Sequence, residues 1–223
     1  MMPVADIDII RLPERMDYAS ARSIQMKHVE QLAEKSSRQV YLLILEHEPL
    51  YTLGRTTKAE HVPVPDEELA RQSGAEVVRA DRGGSVTYHG PGQLTAYLIL
   101  HLKAWELSLH RHLWNLEEIA IRTGAQFGIE GTRMEGMTGA WAKGEGGTIS
   151  KYCAIGVGSR RWVTYHGLGL NVNLDVEPFR RIDPCGLGRP VTSLSMLGGK
   201  TISLDAAAEA LTHATREVLS RSP

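Results

Sequence analysis

The chain has 223 residues, 25 basic and 26 acidic, for a formal charge of −1 with neutral histidines. A balance this close to zero carries no global field to gather nucleic acid or a membrane surface, so any anionic partner must meet a local patch. Two cysteines, Cys153 and Cys185, exclude a disulfide-dense scaffold and a cysteine-rich zinc module, and no apolar stretch approaches the ~18 residues of a membrane span.

Residues 4–12 are short, apolar and strand-like. Met16–Lys35 carries Ala19, Ile24, Val29 and Leu32 at helical spacing, with no internal Gly or Pro. Gln39–Glu46 is a continuous apolar run, the pattern of a central strand buried on both faces. Residues 55–74 read as a loop with a short helix after Pro65. Ala75–Arg79 and Leu94–Leu102 are strand-like and flank the Gly/Pro-rich stretch Arg82–Gln93, whose bland reading is a hairpin turn. Ser108–Gly124 is a helix, with Leu109, Leu113, Leu116, Ala120 and Ile121 at helical spacing and Gly124 placed to close it. Between 136 and 174 the turns fall at strand-like intervals, and Ser203–Ser220 is a further helix with Ser203 as its N-cap. No repeat, linker or composition break divides the chain. The expectation is one α+β domain over residues 1–223, a mixed β-sheet core with flanking helices.

Leu168, Leu170, Val172 and Leu174 alternate with Gly169, Asn171, Asn173 and Asp175, the pattern of a half-buried strand. Gly167 and Gly169 leave space against its backbone, which suits a solvated bend as well as a ligand face. Arg82-Gly-Gly-Ser-Val-Thr-Tyr-His-Gly-Pro-Gly-Gln93 exposes backbone N–H groups that can cradle an anion or a developing oxyanion. It is not a phosphate-binding loop: no Gly-Lys-Ser/Thr follows, and its successor is a strand.

Cys185 lies in Asp183-Pro-Cys-Gly186, a turn sequence that presents the thiol. At a free pKa of ~8.5 a thiol needs an activator to act as nucleophile near neutrality. Lys151 is the candidate activator. In a strand over Thr148–Val157 it shares a face with Ile149, Cys153, Ile155 and Val157, where desolvation would lower its pKa from ~10.4. The alternative is a lysine at a strand end, snorkelling to water. Nine histidines are scattered without HExxH spacing, and His110 and His112 on one helix would point two ways, so no metal is expected. His89 and His166, each before a glycine, are candidates to line a site or to be satisfied structurally.

Taken in order, Pro49-x-Tyr-Thr-Leu-Gly-Arg55, Arg82-Gly-Gly-x-x-Thr-Tyr-His-Gly-Pro-Gly-Gln93, Lys151-x-x-Ala-Ile-Gly156, His166-Gly-x-x-Leu-Asn-Val172 and Pro184-Cys-Gly186 closely resemble the bacterial lipoyl(octanoyl) transferases. The resemblance runs from about residue 18 to 195. It implies a biotin/lipoate protein ligase-like fold. It also implies transfer of an octanoyl group from octanoyl-acyl carrier protein to a specific lysine of lipoyl domains, those of 2-oxoacid dehydrogenase complexes and of the glycine cleavage H protein. Such an enzyme is cytoplasmic, needs no cofactor and engages neither nucleic acid nor membrane.

Carried over residue by residue, Cys185 is the acyl-thioester nucleophile and Lys151 the group that lowers its pKa. Arg82, Gly83, Gly84, Ser85, Val86, Thr87, Tyr88 and His89 line the substrate site, with Ala154, Ile155 and Gly156 and with Gly167, Leu168 and Gly169. Gly169 departs from the family pattern, where many members have alanine. Backbone N–H groups near Gly83–Gly84 or Gly186 are the expected oxyanion donors. Arg160-Arg161 and Arg180-Arg181 are candidates for a basic rim facing an acidic carrier. Three rivals remain open: an ATP-dependent lipoate or biotin ligase of the same fold, a thioester hydrolase pairing Cys185 with His89 or His166, and a non-catalytic fatty-acyl or carrier-binding module.

Overall fold

Apolar patterning along the chain sorts into two sheets and the helices laid on them. The computed structural model describes residues 7–12, 15–184 and 188–221. Among these, the large sheet takes β1 (Ile7–Arg11), β2 (Val40–Leu45), β6 (Gln93–Ile99), β10 (Val163–Asn171), β9 (Ile149–Arg160), β8 (Met137–Lys143) and β7 (Gly131–Met134), in that spatial order. It is mixed, with β1 and β2 parallel and the other pairs antiparallel. A small sheet holds β3 (Leu50–Leu53) between β4 (Glu76–Arg79) and β5 (Val86–His89). The helices are α1 (Tyr18–Lys35), α2 (Asp66–Ser73), α3 (Leu109–Ala125), α4 (Leu194–Gly198) and α5 (Leu204–Ser220).

Strand alternation explains why so many runs are apolar throughout. On β2, Leu42 and Ile44 enter one core with α3 and α5, whereas Leu43 and Leu45 enter another with Ala21, Val29 and Leu32 of α1. On β6, Leu94, Ala96 and Leu98 face the first core, and Tyr97 and Ile99 the second. With helices on both faces of the centre, a strand has no solvated side. The small sheet closes a third core, in which Tyr51, Val86 and Tyr88 pack with Phe179. Each fully buried Leu or Ile contributes about 1.5–3 kcal/mol of transfer free energy. Side-chain caps set the starts of the long helices: Asp17, Ser108 and Ser203 accept the N–H groups of Ser20, Arg111 and Ala206, Ser203 as expected, while α1 begins at Tyr18 and not at Met16.

Several expectations shift. On α1 the buried stripe is Ala21, Gln25, Val29 and Leu32, with Ala19 exposed. Gln25 belongs to it because its Oε1 accepts the His166 N–H at 2.7 Å. Gly124 does not close α3; a Cβ there would sit 3.3 Å from the Tyr152 hydroxyl, so the glycine serves packing. The α3 face that turns inward carries His112 and Asn115, while Leu109 is exposed. Residues 82–93 are not a simple hairpin turn, because β5 pairs in the small sheet and β6 in the large one. The chain changes sheets at Gly90–Gly92, where the Gly92 N–H donates to Glu46 Oε1 at 2.8 Å. β10 ends at Asn171 and is buried along its whole length, so the half-solvated strand over 168–175 does not form.

His112 has no exposed surface, and neither ring nitrogen has a hydrogen-bond partner. Burial lowers its pKa from 6.5 to about 4. Between those values the unfolded chain binds a proton that the folded chain refuses. Stability is therefore full above pH 6.5 and falls as pH drops toward 4, by up to ~1.4 kcal/mol per pH unit for one such group. Denaturant midpoints taken from pH 7 to pH 4.5 should fall less steeply for His112→Leu than for the parent; identical slopes would show that His112 does not drive acid unfolding.

Candidate functional site

The small sheet stands over the face of the large one and leaves a cleft of about 470 Å³, within the ~300–1,000 Å³ usual for small-molecule sites. Its floor is built in rows across the strands. Asn171 of β10 lies opposite Gln93 of β6, Gly169 opposite Thr95, and Gly167 opposite Tyr97. On the other side, Gly169 faces Ala154 and Gly167 faces Gly156 of β9. The glycines admit protein as much as ligand. A Cβ at Gly167 would strike Ala96 O, one at Gly169 would meet Gln93 Oε1 at 2.9 Å, and one at Gly156 would meet Arg82 Cδ at 3.0 Å.

A chain of hydrogen bonds runs through this floor. Buried Arg82 donates from Nη2 to Thr52 O at 2.6 Å and Thr52 Oγ1 at 2.7 Å, and from Nη1 to Gly83 O at 3.0 Å and Ser85 O at 2.8 Å. Thr52 Oγ1 donates to His89 Nε2 at 3.3 Å, and His89 Nδ1 donates to Gln93 Oε1 at 2.6 Å. Gln93 Nε2 donates to Asn171 Oδ1 at 2.9 Å, and Asn171 Nδ2 to Thr192 O at 3.0 Å. The Thr192 N–H donates to Lys151 O at 2.9 Å. Burial lowers the Arg82 pKa to about 10, which keeps it cationic at neutral pH. Burial, with the neighbouring His47 and Arg82 charges, holds His89 well below its ordinary value, so it stays neutral.

Lys151 reaches the cleft through a bulge. Ala140 pairs with Cys153 and Trp141 with Lys151, so Tyr152 has no partner and the alternation of β9 is broken. Lys151 therefore lines the cleft with Ala154 and Gly156. Cys153 joins Tyr152 and Val157 in the core, so the face expected to carry both Lys151 and Cys153 is not formed. Nor does Lys151 snorkel to solvent. It is 9% exposed, its Nζ donates to Thr138 O at 3.2 Å and lies 4.6 Å from the centre of the Trp141 ring. Gly139 makes room for it, since a Cβ there would meet Lys151 Cε at 3.2 Å. Burial pushes the Cys153 thiol far up, leaving a core residue without thiolate character.

Cys185 and Gly186 lie outside the described residues. The chain on either side of them is described. The Asp183 N–H donates to His61 O at 2.8 Å, and Pro184 lines the cleft. Pro190 O accepts the Lys151 N–H at 2.9 Å, and Val191 bridges to Lys151.

Of the residues carried over by resemblance, Arg82, Gly84, Ser85, Val86, Thr87, His89, Lys151, Ala154, Ile155, Gly156, Gly167, Leu168 and Gly169 line the cleft. Gly83 and Tyr88 do not. The Gly83 N–H donates to Val157 O at 2.8 Å, which ties the loop to β9 and removes that amide as an oxyanion donor. The Tyr88 ring turns away to Tyr51 and Phe179, at 5.1 and 5.8 Å between centres.

The sequence reading missed Thr52, His61, Thr95, Tyr97 and Thr138, which also line the cleft. For Thr52, Thr95, Tyr97 and Thr138 the signal was a polar atom set into a strand; His61 lies in a single helical turn, Ala59–His61, and carried none. Thr87 and Thr95 bury hydroxyls without a partner. The Tyr97 hydroxyl donates to His47 Nε2 at 2.6 Å, and His47 Nδ1 donates to Met16 O at 2.8 Å. His61 Nδ1 accepts from Ser85 Oγ at 2.6 Å and from the Lys58 N–H at 3.2 Å.

His166 also faces the cleft, held by Asp81 Oδ1 at 2.9 Å, in a left-handed conformation with φ of 59°. Arg160 and Arg161 both reach Glu30, whereas Arg180 and Arg181 follow Phe179 at the Pro184 end. Among the described residues no group of three or more His, Cys, Asp or Glu side chains is arranged to hold a metal ion, and no helix is long and apolar enough to cross a membrane.

A mixed sheet with a second sheet leaning over its glycine-bearing face is the architecture of the lipoate and biotin protein ligases. The fold superposes on a bi-partite lipoate protein ligase from Thermoplasma acidophilum with a TM-score of 0.72 at 14% identity, covering 96% of this chain and 84% of that one. It superposes on an ATP-bound lipoate-protein ligase A with a TM-score of 0.69 at 15% identity, covering 96% and 86%. The chain belongs to the lipoyl protein ligase A/B catalytic domain family, whose model matches residues 17–216. It is 42% identical to an octanoyltransferase of Geobacter metallireducens over 88% of this chain and 86% of the relative, and 42% identical to one of Rubrobacter xylanophilus over 96% and 95%. It is an acyltransferase.

Arg82→Lys supplies three donors where the guanidinium supplies five, so at least one of the four acceptors Thr52 O, Thr52 Oγ1, Gly83 O and Ser85 O loses its partner. Chemical denaturation should show a loss of about 1–3 kcal/mol; an unchanged midpoint would mean the fork does not hold this loop.

Proposed function

We propose that the protein is a single-domain octanoyltransferase that moves an octanoyl group from acyl carrier protein to a lysine of lipoyl domains through a thioester on Cys185. One observation carries the mechanism. Lys151 is buried at the cleft, its backbone is bonded to Pro190 and Thr192, and Pro184, one peptide bond before Cys185, lines the same cleft. Both flanks of the nucleophile's segment thus lie at the cleft that holds Lys151.

In the first half-reaction Lys151 Nζ accepts the Cys185 proton, and the thiolate attacks the carbonyl carbon of the carrier thioester. The tetrahedral intermediate expels the carrier thiolate, which recovers the proton from Lys151. One thioester replaces another, so no ATP is consumed. In the second half the neutral amine of the acceptor lysine attacks the acyl-enzyme, the Cys185 thiolate leaves, and Lys151 relays the surplus proton to it. Forming an amide from a thioester runs downhill. Arg82 holds a fixed positive charge beside the cleft with no carboxylate partner among the described residues, which favours an anionic thiolate or oxyanion nearby.

The acceptors are lipoyl domains of 2-oxoacid dehydrogenase complexes and the glycine cleavage H protein, and the reaction is cytoplasmic and independent of cofactors. Of the two arginine pairs, Arg180-Arg181 is favoured as the carrier's contact because it adjoins cleft-lining Phe179 and Pro184; Arg180 is paired with Glu177 as Arg160 and Arg161 are with Glu30, so position and not availability separates the two.

Intact mass after incubation with octanoyl-acyl carrier protein should show one octanoyl adduct on the parent, none on Cys185→Ser, and formation slowed by about 10²-fold or more in Lys151→Ala. An adduct on Cys153, strict dependence on ATP, or rapid release of octanoate without an amine would each overturn the reading. Arg180→Glu with Arg181→Glu should raise the KM for the carrier and flatten its salt dependence; if neither changes, this pair is not the contact.

A further inference from the structure

Burial of two more methylenes changes binding by only about fifteenfold, so an acyl slot that selects one length needs a wall at its far end. We infer that the Tyr97 ring is that wall, a gauge that admits eight carbons and stops ten. The inference rests on the reading above, in which the thioester carbonyl sits at Lys151.

The rows of the floor supply the ruler. Asn171, joined through Thr192 to Lys151, marks the reactive end, followed by the Gly169 row and then the row of Tyr97 and Gly167. Rows two residues apart are separated by ~7 Å, which puts the Tyr97 backbone, from which the ring rises, ~14 Å from that of Asn171. An extended octanoyl chain spans about 9 Å from carbonyl carbon to methyl, at ~1.25 Å of advance per C–C bond. The remaining ~5 Å is nearly consumed by a carbon–carbon contact of ~3.5–4.0 Å. Two further carbons advance the methyl by ~2.5 Å, into the ring.

The wall is braced. Tyr97 is 5% exposed, and its hydroxyl is held by His47, itself held by the Met16 carbonyl just before α1. Behind it, the Tyr165 ring covers Gly158 in the next row, fixed by Asp81 Oδ2 at 3.1 Å and by the Arg22 guanidinium 4.6 Å from its centre. Tyr97 and Tyr165 share one core with α1, so the slot ends where that helix crosses the sheet. Between wall and lysine the floor is small, with Gly169 and Ala154 in the middle row.

The test measures rates of acyl-enzyme formation by intact mass with hexanoyl-, octanoyl- and decanoyl-loaded acyl carrier protein. Tyr97→Ala should raise the decanoyl-to-octanoyl ratio about tenfold or more. Ala154→Val, which thickens the middle row, should raise the hexanoyl-to-octanoyl ratio by a similar factor. A folded Tyr97→Ala with an unchanged ratio overturns the gauge; if that variant does not fold, an unchanged ratio in Ala154→Val does so. Adducts on the parent with length profiles insensitive to both substitutions would sink the gauge alone. No adduct on the parent from any donor would end the functional reading and the gauge with it.

Discussion

The candidate site depends on one polar chain, from the Arg82 guanidinium through Thr52, His89, Gln93, Asn171 and Thr192 to the Lys151 carbonyl. Thr52 and His89 belong to the small sheet, Gln93, Asn171 and Lys151 to the large one. Among the described residues no strand pairing joins the two sheets, so side-chain hydrogen bonds, with the Gly83 N–H bond to Val157 O, set their spacing and thereby the width of the cleft. Inside a protein such bonds are strong because water does not compete, and for the same reason each member is costly to leave unpaired. The network therefore tolerates few geometries, and the lysine is registered against the loop that carries Arg82.

Space for this chain comes from residues that withhold a side chain. Gly54, Gly84 and Gly156 surround the Arg82 guanidinium, Gly169 admits the Gln93 amide, and Gly139 admits the lysine stem. Gly167 and Gly169 read in the sequence as a solvated bend or as ligand room, yet much of the space that glycines leave here is taken by the protein's own polar groups. A ligand face and a packed interior place the same demand on a backbone, that nothing protrude from it.

Deep in the cleft, Arg82 sets a buried cation among imidazoles that burial keeps neutral. Arg82 is solvated by carbonyl and hydroxyl oxygens instead of a carboxylate, so its field is not cancelled locally. Burial lowers the pKa of His47, His89 and His166. Asp81, held strongly ionised by His166 and Arg22, stands at the end of the cleft near α1, away from Lys151. A positive bias near the glycine-rich loop and a neutral slot beside it suit an uncharged chain bearing a reactive carbonyl.

Local rules determined the elements. Caps at Asp17, Ser108 and Ser203, the apolar run of β2 and the turn spacing after residue 136 follow from propensity and periodicity, which act within a few residues. Family motifs led to most of the cleft residues and included Thr52 without assigning it to the cleft, but did not reach Thr95 or Tyr97, which acquire meaning only when strands lie side by side. Two things were decided by tertiary structure alone. The bulge at Tyr152 separates Lys151 from Cys153, because strict alternation holds only while two strands stay in register and the partner strand sets that register. The handover of residues 82–93 from one sheet to the other is likewise invisible locally: a glycine pair permits a turn, but which strands flank it is settled by long-range pairing.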